Sequence, residues 1–104
     1  LSVGKQSVAN SQSSIALGEE ATVNNGATSI NGIAIGKLAE VTASGGVAIG
    51  ESVTAATANT VTIKLLQIAN YASMSFADDT AAAAGGIPLG GVYHTSGALK
   101  IRIV

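Results

Sequence analysis

The sequence predicts a mainly β protein: a parallel β-roll or β-helix of 14-residue coils in a homotrimer, followed by a small α+β cap with a short helix and a β-hairpin. Three observations predict it. A phrase of aliphatic, Ala, aliphatic and Gly recurs at a nearly fixed step. Hydrophobic residues make up 47% of the 104-residue chain and charged residues only 11%, where an ordinary soluble domain carries about 25% charge. The period stops after Lys64, and residues 65–104 have a different character.

Ser14-Ile15-Ala16-Leu17-Gly18, Gly32-Ile33-Ala34-Ile35-Gly36 and Gly46-Val47-Ala48-Ile49-Gly50 are versions of one phrase. Leu1-Ser2-Val3-Gly4 is a truncated earlier copy, and Asn59-Thr60-Val61-Thr62-Ile63-Lys64 a later one with Thr62 for Ala and Lys64 for Gly. Gly4 and Gly18 lie 14 residues apart, Gly18 and Gly36 18, and the last two steps, to Gly50 and Lys64, are 14 again. One period of 14 therefore holds, with a four-residue insertion within residues 24–31. A weaker phrase follows each corner: Ser7-Val8, Ala21-Thr22-Val23, Ala39-Glu40-Val41 and Ser52-Val53. Aliphatics at i and i+2 around a small residue are strand alternation. Gly after the second aliphatic supplies the positive φ of a tight corner. Two short strands and two corners make a coil, and coils stack about 4.8 Å apart. The larger side chains are expected inside, with Ile15, Ile33 and Val47 in one ladder and Leu17, Ile35, Ile49 and Ile63 in the next. Ala16, Ala34, Ala48 and Thr62 are then expected outside, as a flat strip that docks on another subunit. Disordered segments are poor in β-branched residues and rich in charge, the reverse of this composition.

After residue 64, Leu65-Leu66-Gln67-Ile68 is compatible with one more strand. Residues 75–84 read as a short helix, with Asp78 and Asp79 in the turn where carboxylates are favoured and Thr80 to Ala84 as its body. Gly85-Gly86 stops it, and Pro88 prevents its resumption. Gly91-Val92-Tyr93-His94, a turn at Thr95-Ser96-Gly97 and Leu99-Lys100-Ile101-Arg102-Ile103-Val104 read as a hairpin, with Leu99, Ile101 and Ile103 on one face and Lys100 and Arg102 on the other.

Two families are resembled. The Ser-Ile-Ala-Leu-Gly and Gly-Val-Ala-Ile-Gly phrases at 14-residue steps, closing on Asn59-Thr60-Val61-Thr62-Ile63, resemble the head repeats of trimeric autotransporter adhesins over residues 1–64. That resemblance implies a parallel β-roll and three chains packed side by side. Residues 65–104 resemble the C-terminal module that closes many phage tail-fibre and related virion proteins. The likeness lies in Phe76-Ala77-Asp78-Asp79-Thr80, four Ala, Gly85-Gly86-Ile87-Pro88-Leu89-Gly90-Gly91-Val92-Tyr93, a polar turn and an alternating basic strand. An adhesin would continue into a heptad stalk and a membrane-anchor barrel, and neither pattern occurs here. The expected function is accordingly the structural and receptor-binding tip of a trimeric phage tail fibre in the virion, attaching to a bacterial surface glycan or protein. The alternative is the head of a trimeric autotransporter adhesin on the bacterial cell surface.

Little in the chain suggests catalysis. There is no Cys and one His, His94, so thiolate metal sites and disulfides are impossible and a His-based triad or zinc site has little to draw on. Asp78 and Asp79 are adjacent, and neighbours on a helix point about 100° apart, so a cap is expected rather than a metal pair. The Gly-rich run at 85–91 follows a helix instead of preceding one and is no phosphate cradle. Left-handed β-helix acyltransferases also repeat aliphatic-Gly phrases, but at six residues, and His94 lies outside the repeat. An ice-binding β-helix wants stacked Thr, where this chain has Ala. A net charge of −1 is no footprint for nucleic acid. No apolar stretch reaches the roughly 18 to 20 residues of a membrane span, since Gly85, Gly86, Pro88, Gly90 and Gly91 interrupt the longest, so no membrane insertion is expected. No enzyme activity, cofactor or metal is expected. Recognition is expected in the cap, which holds every aromatic residue and the His. Phe76 is assigned to the core, leaving Tyr93, His94, Tyr71 and Asn70 as exposed receptor-binding candidates.

Overall fold

A computed structural model describes residues 1–24 and 31–104, so most of the expected insertion at 24–31 lies outside the described residues. The chain forms two compact units, Leu1–Leu66 and Gln67–Val104.

The first unit is a parallel β-solenoid. One sheet stacks β1 (Ser2–Val3), β3 (Ile15–Leu17), β5 (Ile33–Ile35), β7 (Val47–Ile49) and β9 (Val61–Ile63) in that order, and the second stacks β2 (Val8–Ala9), β4 (Thr22–Val23), β6 (Glu40–Val41) and β8 (Thr54–Ala55). Every pairing is parallel, with an offset of 14 residues, as in Ala34 opposite Ala48 and Val41 opposite Ala55, except across the insertion, where it is 18, as in Val23 opposite Val41. Between β4 and β5 the register absorbs the 18-residue step without slipping, with Ala16 opposite Ala34.

The alternation expected from the sequence is present, but its sense is reversed. Ala16, Ala34 and Ala48 are fully buried, while Ile35 and Ile49 are 39% and 41% exposed. The interior consists of the Ala column of the first sheet facing Ala21, Val23, Ala39, Val41, Val53 and Ala55 from the second. A coil this short holds its sheets too close together for two layers of Ile and Leu, and only Ala against Ala or Val fills the gap at protein density. Thr62 occupies the Ala column in β9 and is half-buried. The aliphatic phrases therefore point outward, and the Ala strip is core rather than docking surface.

The corners use more left-handed backbone than Gly alone. Gly18 and Gly36 have φ of +133° and +130°, and two residues on, Glu20 and Leu38 have φ of 56° and 58°. The Gly is also fixed by stacking: a Cβ on Gly18 would sit 2.6 Å from the backbone of Gly36, and one on Gly36 2.6 Å from Gly50. Lys64 stands at this place without a positive φ, and β9 is the last strand of the stack. The residue after each Gly is charged with alternating sign: Lys5, Glu19, Lys37 and Glu51.

In the second unit a 3-10 turn at Tyr71–Met74 precedes α1 (Asp79–Ala84) and an antiparallel hairpin of β10 (Val92–Thr95) and β11 (Ala98–Ile101). The helix is shorter than the sequence suggests, because Asp78 is its N-cap: Asp78 is extended, and its carboxylate accepts the Ala81 N–H at 2.8 Å. Residues 65–68 form no strand. Ser96 and Gly97 both have positive φ, 50° and 89°, as a two-residue turn between twisted strands requires.

Candidate functional site

Two surfaces are built by this fold, one in each unit. On the first, strand geometry puts the residues flanking each buried Ala on the outer face of the five-stranded sheet. One column runs Ile15, Ile33, Val47, Val61 and the next Val3, Leu17, Ile35, Ile49, Ile63. None of these side chains is fully buried, and Val3 and Val61 are mostly exposed. The outer face of the four-stranded sheet carries Val8, Thr22, Glu40 and Thr54 in register. The solenoid thus has one almost wholly aliphatic face and one mainly polar face. Contiguous apolar surface of this kind marks an interaction site.

The second surface belongs to the cap, where the four expected receptor-binding residues separate. Tyr93 and His94 are buried, at 2% and 6% exposure, and Tyr71 and Asn70 are exposed. Tyr93 and His94 thus depart from the exposure expected of them, and the reason is the hydrogen bonding that each makes inside the unit. Tyr93 donates its hydroxyl to Asp79 Oδ1 at 2.5 Å and meets Phe76 edge to face, centroids 6.4 Å apart. Asp79 uses Oδ2 to accept the N–H groups of Ile103 (2.7 Å) and Val104 (3.0 Å), tying the final residues to the helix start. The Tyr93 hydrogen bond, with the Ile103 and Val104 N–H groups and the charge of Arg102, holds the Asp79 carboxyl below its ordinary value. The same carboxylate, together with burial, pushes the Tyr93 phenol up to about 12.

His94 is held at both ring nitrogens. Nε2 lies 2.9 Å from the Tyr71 carbonyl oxygen and Nδ1 accepts the Gly97 N–H at 3.1 Å. The tautomer follows: Nδ1 accepts, so Nε2 carries the proton and donates. The Tyr71 ring lies flat on the imidazole, centroids 4.0 Å apart and planes 4° from parallel. His94 therefore supports the Tyr71 ring from beneath, Tyr93 ties the hairpin to the helix start through Asp79, and Tyr71 is exposed. Sequence reasoning had no signal for this division, because Tyr93 and His94 are each buried by a partner far away in sequence, Asp79 and Tyr71. Among the described residues no cluster of three or more His, Cys, Asp or Glu converges as a metal site, and no helix is long and apolar enough to cross a membrane.

No protein-family model, curated protein or solved structure matches the chain. Its class rests on its own geometry, a β-solenoid of 14-residue coils with a small helix-and-hairpin unit.

Proposed function

We propose that the chain is the structural and receptor-binding tip of a trimeric phage tail fibre, attaching the virion to the bacterial surface. The observation that carries this reading is the two-faced solenoid. Burying aliphatic surface is worth about 25 cal/mol per Å², and two columns of Ile, Leu and Val are a strong drive to assemble. Three chains that turn their five-stranded sheets toward a common axis cover these columns and leave the Thr22, Glu40 and Thr54 sheets in water. The docking face is thus the aliphatic columns rather than the Ala strip. Such a roll is a repetitive shaft with little means of telling ligands apart. The cap has the aromatic and amide variety that selective binding needs, and three copies turn a weak contact into useful avidity. A bacterial surface glycan or protein is the receptor, and no chemistry is performed on it.

Sedimentation equilibrium followed by adsorption to a panel of bacterial cells tests the proposal. A trimer that adsorbs to particular bacteria supports it. A stable monomer removes the assembly, and a trimer that binds animal matrix proteins but no bacterium favours the adhesin alternative.

A further inference from the structure

We infer that the outward face of Tyr71 is a stacking platform for a neutral saccharide ring, an inference that rests on recognition residing in the C-terminal unit. Tyr71 is 46% exposed although one face of its ring is covered by His94 at 4.0 Å. The exposed part is therefore largely the opposite face, a flat π surface open to solvent. The ring is also immobilised. The imidazole beneath it is buried and hydrogen-bonded at both nitrogens, once to the Tyr71 carbonyl itself. The hydroxyl end lies over the hairpin turn, where a Cβ on Gly97 would come within 3.4 Å of the Tyr71 oxygen. A ring fixed before binding loses little freedom when a ligand stacks on it.

The surroundings select among flat ligands. Residues 65–77, which carry Tyr71, contain no Asp, Glu, Lys or Arg, and neither does the turn at 95–99. Exposed Asn70, Ser73 and Ser96 supply amide and hydroxyl groups instead. A nucleobase would stack equally well, but nucleic acids are held mainly through cationic contacts to phosphate, which these segments do not offer. A cationic ammonium ligand seeks an aromatic face as well, usually with carboxylates, also lacking in these segments. A pyranose presents an apolar C–H face to the ring and hydroxyls at its rim to the amides and hydroxyls around it. Chemistry of that kind matches the platform.

The test is NMR on the full 104-residue chain, titrated separately with neutral hexose and N-acetylhexosamine oligosaccharides, adenosine and tetramethylammonium. Intermolecular contacts between sugar C–H protons and the Tyr71 ring are expected, with shift changes confined to residues 70–73 and 95–98. Tyr71→Ala should weaken binding at least tenfold and Tyr71→Phe less than threefold. The contact measurement on the unaltered chain decides the matter even if Tyr71→Ala disturbs the cap. Saccharide contacts elsewhere, no contact with any saccharide, or preferential contact with adenosine or tetramethylammonium would each overturn it. Adsorption of the same chain to bacteria separates the two levels. Adsorption without saccharide contact at Tyr71 rejects this platform and leaves cap recognition standing, whereas loss of both rejects the cap as the recognising unit.

Discussion

At the scale of the residue, the corner glycines Gly4, Gly18 and Gly36 do two jobs, and only one was legible in the sequence. Their positive φ follows from their place at a corner. That their missing Cβ also admits the backbone of the next coil follows only from the stack. Gly36→Val should therefore lower stability on the order of 1–3 kcal/mol from backbone strain alone, with further loss from the clash at Gly50, measured as a fall in denaturation midpoint. Gly36→Ala, which removes the β-branching but keeps the clash, should also fall short of the parent. In the cap, the Asp79–Tyr93 pair predicts opposite limbs in a pH–stability curve. Tyr93 has a folded-state value raised above that of the unfolded chain, so its contribution is complete below about pH 10 and is lost as pH rises toward about 12. Asp79 is lowered, so its contribution is present above the ordinary carboxylate value of 3.8 and is lost as pH falls further. Tyr93→Phe should flatten the alkaline limb and Asp79→Asn the acid one, as read by thermal melts across the pH range. Unchanged limbs in both variants would place the pair's hydrogen bond outside the cap's stability.

At the scale of the element, period and strand alternation were readable because both are properties of spacing. Sidedness was not, because it depends on the distance between two sheets. Placing the largest apolar residues inside is a rule with exceptions, and here the second sheet held the clue. In Ala39-Glu40-Val41 the Glu must face water, which sends Ala39 and Val41 inward. With Val already occupying a thin interior, only Ala fits opposite. Two substitutions separate the orientations. Ala34→Leu inserts three carbons into a closed interior and should cost at least 1–3 kcal/mol, about the usual range for overpacking. Ile35→Asn together with Ile49→Asn should leave the coil intact and weaken self-association, read as a shift toward monomer in sedimentation. If Ala34→Leu is silent and the Asn pair unfolds the chain, the aliphatics are core after all. The cap hairpin shows the same limit. Its turn was evident from Thr95-Ser96-Gly97, yet that neither Tyr93 nor His94 faces solvent was not, since each is buried by a partner distant in sequence: Asp79 at 14 residues and Tyr71 at 23.

At the scale of the whole molecule, the low charge and high apolar content now have a place to reside. The interior is built largely of Ala and Val, so much of the Ile and Leu lies outside, where a monomer would leave it against water. A particle of three times the 10.1 kDa chain mass is the expected species, and its dissociation should bring irreversible aggregation rather than a soluble monomer. Dilution series by light scattering check this. A monodisperse 10.1 kDa species stable for days would show that the aliphatic columns need no cover.

The alternating charges at Lys5, Glu19, Lys37 and Glu51 give the shaft a parity. Glu19 and Lys37 approach to 3.9 Å on the surface of adjacent coils, a contact worth at most about 1 kcal/mol. Duplicating residues 37–50 lengthens the shaft by one rung, about 4.8 Å, and sets Lys beside Lys. Adding a pair of rungs whose corners carry Lys and then Glu restores the alternation. Variants with odd insertions should melt slightly below those with even ones at low salt, and the difference should vanish at high salt. The solenoid can thus be extended by two rungs at no electrostatic cost, whereas a single rung carries one, although every rung is interchangeable in shape.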